Sequence, residues 1–262
     1  MATDELVRIA TATGELLMGY YGRLDTGDAD RKGNRRRDLV SKADVEAEAL
    51  VLDSVPAGDR VLAEESGARA GAGRYWVVDP LDGTINFLHG IPAWCVSIAI
   101  VDNDRLTEAV VHAPALGMTF AATHGAGATL NGVPIRVSNV PEIGDAILAT
   151  GFPYARDTVA DNNLANVPRI GIDAGGLRRM GSAALDLAFT GAGKLDGYWE
   201  LHISAWDVAA GILIVREAGG RVTNFNDAED LDSLLYGRNI VASNGNVHSA
   251  MLSRLEPLRE LS

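Results

Sequence analysis

Along residues 3–21 the positions Leu6, Ile9, Ala10, Thr13, Leu16, Leu17 and Tyr20 recur at the intervals of one helix face. Thr3 is placed to cap that helix and Gly22 to stop it. Residues 23–37 are polar. A second helix is predicted over 41–52, with Ser41 as N-cap and Asp44 in its first turn. Short apolar runs then predict strands over 60–63, 75–78, 93–101, 106–112, 118–122 and 134–137. Asp102-Asn103-Asp104 and Asn131-Gly132 supply turns between neighbouring strands. This half reads as α+β with antiparallel strands.

Residues 140–145 mark a boundary, dividing the chain into 1–142 and 143–262. Beyond it the pattern alternates. Strands are expected over 146–150, within 171–180, over 197–200, through Val222 and over 240–243. Helices are expected within 155–167, over 182–191 and 205–218, and from about Asn246 onward. Such alternation argues for a layered α/β half. The fold class expected for the whole chain is therefore an α+β and α/β layered sandwich.

Composition narrows the functional field. The 262 residues carry a formal net charge of -12, which disfavours a nucleic-acid partner. It leaves room for a phosphorylated metabolite, because a bound cation can reverse the local field. The lone Cys95 sits in an apolar run and reads as a buried structural thiol. The N-terminus does not resemble a secretory signal, and no apolar stretch approaches the roughly 18 residues of a membrane span. A cytoplasmic protein with no membrane partner is expected. The basic cluster Arg31, Lys32, Arg35, Arg36 and Arg37 reads as a solvated loop, or as a flap that attracts an anion.

Carboxylates carry the candidate chemistry. Asp79 and Asp82 close an apolar run and lead straight into Gly83-Thr84. Gly permits a tight turn, and a helix starting there would aim free N–H groups at a phosphate. Carboxylate oxygens beside phosphate donors suggest Mg²⁺. Asp44, Glu64-Glu65 and Asp207 also fall at element ends, where α/β folds place ligands. His89 and His202 read as solvent-facing or hydrogen-bonded structural residues.

The run from Asp79 to Phe87 resembles the signature of the inositol monophosphatase family. Glu64-Glu65-Ser66 and the run from Trp206 to Gly211 resemble its other two motifs, in the same order. The runs 181–188 and 197–200 are similar to bacterial members. The resemblance implies an alternating α-β-α-β-α sandwich, two or three Mg²⁺ ions per site, lithium sensitivity and a homodimer. It implies that Glu64, Asp79, the Leu81 carbonyl and Thr84 hold one ion. Asp79, Asp82 and Asp207 would hold a second, and Glu64 would face a weaker third. Asp44 would pair with Thr84 to help activate water. Asp82, Gly83 and Thr84 would bind phosphate, with the backbone N–H groups of Gly83 and Thr84 as donors. Glu200 would contact substrate hydroxyls, with Arg178 and Ser182 at the same rim.

These roles make an Mg²⁺-dependent phosphomonoesterase acting on inositol monophosphate the expected function. Histidinol phosphate, sugar phosphates or nucleotide phosphates are the alternatives, since the metal motifs read the phosphate and not the alcohol. Binding to RNA polymerase or ribosome-assembly machinery is the alternative of another class. Two departures from the family pattern stand out. Lys32 is separated from Asp38 by residues 33–37, which predicts a longer or displaced loop. Ser204 stands where some relatives carry His or Arg, which alters the substrate rim.

Overall fold

The computed structural model describes residues 2–32 and 38–256. Helix α1 (Ala2–Tyr20) opens the chain, and a two-stranded ribbon of β1 (Asp30–Arg31) and β2 (Leu39–Val40) leads into α2 (Lys42–Asp53). The next strands are β3 (Arg60–Ala63), β4 (Gly67–Arg69) and β5 (Tyr75–Asp82), followed by the short helix α3 (Thr84–Leu88). Then come β6 (Cys95–Asp102), β7 (Arg105–Ala113), β8 (Met118–Thr123), β9 (Gly127–Leu130) and β10 (Val133–Pro134). Strands β3 to β10 form one sheet in the order β10-β9-β8-β7-β6-β5-β3-β4, in which only β3 and β5 run parallel.

The second half contains β11 (Ile147–Thr150), α4 (Asn166–Gly171), β12 (Gly176–Arg178), α5 (Ala183–Gly191) and β13 (Gly197–Leu201). It continues through α6 (Ala205–Glu217), β14 (Arg221–Thr223), α7 (Leu231–Tyr236), β15 (Asn239–Ser243) and α8 (His248–Leu252). Its five strands are ordered β12-β11-β13-β15-β14.

Five layers result. Helices α1 and α2 cover one face of the large sheet, and α5 with α6 packs between the two sheets. Residues of α4 and α8 pack on the far face of the small sheet, where Ile170 and Met251 meet Leu148, Trp199 and Val241. The layered sandwich expected from the sequence is thus present. Helix α6 is buried on almost every side, from Val208 to Val215, as a helix apolar all round must be. Truncating one such residue, for example Ile214→Ala, costs about 2–5 kcal/mol. Side chains of both halves share this central core.

Several expectations need correction. Helix α1 starts at Ala2, so Thr3 lies inside it and does not cap it. The helix expected within 155–167 is absent there; α4 begins at Asn166, with Pro168 in its first turn, where a missing N–H costs nothing. The strand expected over 134–137 stops at Pro134, because Val137 N leaves the sheet and donates to Ala218 O at 3.1 Å. The terminal helix starts two residues late, at His248. The turn at Asn131-Gly132, expected between the strands over 118–122 and 134–137, instead joins β10 to β9, a strand that was not expected; its φ of 51° and 78° are the left-handed pair that a two-residue hairpin requires.

Candidate active site

Strand β5 makes the first part of the site. Pro80 has no N–H to give to β6, and the ladder shifts between Asp79, opposite Ser97, and Asp82, opposite Cys95. β5 advances three residues while β6 advances two, which is a bulge. In a regular strand, residues three apart face opposite sides. The extra residue turns Asp79 and Asp82 toward one side. Gly83 then takes φ 95°, and a Cβ there would come within 2.9 Å of Ala93 O, so the chain can turn into α3 only with glycine.

Helix α6 brings Asp207 to the same place. Its N-cap is Ser204, whose N–H donates to Asp207 Oδ2 at 2.7 Å, and this bond fixes the carboxylate at the helix start. Asp79, Asp82 and Asp207 each offer an oxygen within 4.8 Å of the others. Burial raises all three carboxyls above their ordinary range, and repulsion from Glu64 adds to the shift of each; Asp82 adds further repulsion on Asp79 and Asp207. Asp82 is pushed up to about 6. It is restrained there by Ser182 Oγ at 2.7 Å and Ala184 N at 2.8 Å, which donate to its Oδ2. A buried set of repelling hard oxygen donors fits a divalent cation such as Mg²⁺.

The remaining predicted residues surround this cluster. Glu64, Leu81, Gly83 and Thr84 line the same cleft of about 320 Å³. Thr84 Oγ1 lies 3.0 Å from Asp44 Oδ1 and 3.2 Å from the Leu81 carbonyl. Asp44 is buried under α2's capping box, accepting from Ser41 N at 2.8 Å and Ser41 Oγ at 2.7 Å. Burial raises the Asp44 carboxyl against those bonds. Lys32 reaches the site despite the intervening residues. Its backbone N–H pairs with Asp38 O at 2.9 Å, and its ammonium bonds Glu64 and Glu65 at 2.7 Å each. Residues 33–37, including Arg35, Arg36 and Arg37, lie outside the described residues.

A second, smaller cavity of about 80 Å³ adjoins the first, with Asp82, Asp207 and His202 in both walls. Glu200 and Ser182 line it. Arg178 does not; it is exposed, with its guanidinium on the Leu177 carbonyl, and the neighbouring Arg179 takes the wall position. Tyr198 donates its hydroxyl to Glu200 Oε2, and burial holds the Glu200 carboxyl at about 7. Asp186 also lines this cavity, with its carboxyl raised by burial and by Glu200.

Sequence reasoning missed Arg179, Asp186 and Tyr198, although Asp186 and Tyr198 fall in the runs 181–188 and 197–200 that it singled out and Arg179 is next to the Arg178 it named. It also set His202 aside, which φ 59° and both cavity walls now place at the site. His89 is exposed at the end of α3. Cys95 is fully buried, and burial raises its thiol well above the usual range, so it packs as a neutral group.

The sequence profile of the inositol monophosphatase family matches residues 2–260. The chain is 40% identical over 254 residues to the Nus factor SuhB of Escherichia coli K12, covering 95% of this chain and 93% of that protein. It is 42% identical over 249 residues to an inositol-1-monophosphatase of Synechocystis, covering 93% and 85%. The crystal structure of the extragenic suppressor protein suhB from Bartonella henselae superposes with a TM-score of 0.89 at 35% identity, over 97% of this chain and 98% of that one.

Proposed function

The chain belongs to the inositol monophosphatase family, and from that premise we propose that it is an Mg²⁺-dependent phosphomonoesterase that hydrolyses an inositol monophosphate. The observation that carries this reading is the convergence of Asp79, Asp82 and Asp207 within 4.8 Å, beside the Gly83-Thr84 turn. In this reading Glu64, Asp79, the Leu81 carbonyl and Thr84 would hold one ion, and Asp79, Asp82 and Asp207 would hold the next. Bound Mg²⁺ supplies charge neutralisation on the phosphate and on the departing alkoxide.

The chain's own residues do the rest. Gly83 and Thr84 N–H groups orient the phosphate oxygens. Thr84 Oγ1 receives the proton of the attacking water and passes its own to Asp44 Oδ1, 3.0 Å away. Ser41 keeps Asp44 aimed at Thr84 through two bonds. Glu200, held by Tyr198, accepts hydrogen bonds from ring hydroxyls of the alcohol. Arg179 in the same wall offsets the Glu200 charge. Histidinol phosphate and other small phosphate esters are the competing substrates.

A panel of phosphate esters assayed for released phosphate, with Mg²⁺ and with EDTA, tests the reading. Inositol monophosphate should lead the panel, and EDTA should abolish all turnover. Metal-independent turnover would sink the proposal, and preference for another ester would reassign the substrate. A homodimer belongs to the same reading, and sedimentation equilibrium measures it. The similarity to a Nus factor favours a second role in binding RNA polymerase or ribosome-assembly machinery. Retention of RNA polymerase from cell extract on the immobilised protein would support that role, and its absence would count against it.

A further inference from the structure

Helix α2 carries two buried acids one turn apart. Asp44 bonds Thr84, as described above. Glu48 has no part in that arrangement, yet it is only 3% exposed. Its two carboxylate oxygens each accept one backbone N–H from the turn after β3. Glu65 N donates to Oε2 at 2.8 Å, and Ser66 N donates to Oε1 at 2.8 Å. That turn carries Glu64. On its other side, Glu64 N continues the parallel ladder by donating to Val78 O at 3.2 Å. The backbone of Glu64 is therefore clamped from both flanks, by β5 before it and by Glu48 after it.

A carboxylate is needed for this. The two N–H groups require two acceptors, and a buried N–H without one costs stability. Glutamine has nearly the same shape but one acceptor and one donor group. In Glu48→Gln, an amide NH₂ would face either Glu65 N–H or Ser66 N–H. The turn would lose one of its two anchors with little change in packed volume.

We propose that Glu48 is a positioning residue for the metal centre, fixing the 64–66 turn so that the Glu64 carboxylate faces Asp79. The inference rests on the reading of Glu64 as a metal ligand. Partners that orient metal ligands typically change metal affinity by about 10–100-fold when removed. Glu48 reaches Glu64 only through the backbone, so the lower end, about tenfold, is the expected loss.

The test is Mn²⁺ binding to the metal-stripped protein, read by calorimetry or by the free-Mn²⁺ spin-resonance signal, with no substrate present. Glu48→Gln should weaken Mn²⁺ binding about tenfold. Hydrogen exchange should speed up at the Glu65 and Ser66 amides while the α2 and β5 amides keep their protection. Glu64→Gln should weaken binding too. Adding Glu48→Gln to that variant should cost nothing further, because Glu48 acts through Glu64. Unchanged Mn²⁺ affinity in Glu48→Gln beside a weakened Glu64→Gln overturns the proposal, as does full additivity in the double variant. Unchanged affinity in Glu64→Gln removes the ligand reading first, and this inference with it. Should Glu48→Gln fail to fold, Glu48→Asp keeps both acceptors one methylene short. It should show a smaller loss in the same direction, and wild-type affinity there would equally overturn the proposal.

Discussion

Replacing Asp79 by Asn separates charge from shape at the centre of the site. The ligand oxygens of Asp79, Asp82 and Asp207 lie within 4.8 Å of one another. At that distance two unit charges repel by roughly 3.5 kcal/mol for an effective dielectric near 20. Asp79→Asn removes its pairs with both neighbours. Proton uptake already relieves part of the strain, since burial and repulsion raise Asp79 and Asp207, and Asp82 to about 6. A net gain of about 2 kcal/mol is expected for the metal-free protein near neutral pH. For a chain of this size that is a rise in Tm of about 4–8 °C. The sign follows from linkage. A carboxyl raised on folding contributes stability below its unfolded value, about 3.9, and loses it as pH rises through the folded value. The stabilising effect of the substitution should therefore be larger near neutral pH than in acid, fading as pH falls toward about 4. Melting curves in EDTA across that range measure it. Phosphate release in Mg²⁺ should meanwhile fall more than tenfold, a barrier increase above roughly 1.4 kcal/mol. An apo variant that melts at or below the wild-type temperature near neutral pH would refute the repulsion argument. Retention of a tenth of kcat would refute the ligand role.

Four shorter expectations accompany it. Glu200→Gln should raise KM for inositol monophosphate about tenfold, since a charge-assisted bond is worth roughly 1.5–3 kcal/mol, and leave a small ester without ring hydroxyls unchanged; equal loss on both substrates counts against polyol recognition. Gly151→Ala should reproduce that KM effect, because a Cβ at 151 would overlap the Glu200 carboxylate; an unchanged KM would show that Glu200 does not need its present position. Ser41→Ala should cost about 1 kcal/mol in thermal unfolding through the lost cap and lower kcat several-fold through Asp44, and a stability loss with unchanged kcat would detach Asp44 from the chemistry. Li⁺ should inhibit phosphate release uncompetitively with substrate, and competitive inhibition would argue against its occupying the site after hydrolysis.

Local signals accounted for what could be read in advance. Ser41 as a cap with Asp44 in the first turn is observed at the start of α2, and Ser204 with Asp207 shows the same spacing at the start of α6, although only the Asp207 position was singled out there. The Asn131-Gly132 hairpin is likewise local. The segment 152–165 is not. Its shape is set by Asn163, buried at φ 67° and tied to Thr150, Gly151, Asn166 and Trp199, partners that only the folded chain supplies. Helix α7 carried a signal that went unread: Asp230 caps it by accepting from Ser233 N at 2.8 Å. The bulge at Pro80 was legible as a proline in a strand, but its consequence depends on the register with β6. The two short strands β1 and β4 offer too few apolar residues to register as a pattern.

Asp82 explains why the alcohol rim was the least legible part. It belongs to β5, yet its Oδ2 is held by Ser182 and Ala184, residues 100 and 102 positions further along the chain. It lines both cavities, as Asp207 does, so the proposed metal cluster and the proposed alcohol pocket share two carboxylates. The cluster can close only when α5 docks against the large sheet. The same docking brings Arg179, Asp186 and Glu200 around the smaller cavity. Phosphate chemistry is written in short motifs because its donors come from single turns. In the proposed reading, recognition of the alcohol depends on where two sheets and a helix start meet, and residues at such a junction carry no periodicity of their own. Variation along the 178–186 and 197–200 runs can therefore change the alcohol while leaving Asp79, Gly83, Thr84 and Asp207 in place.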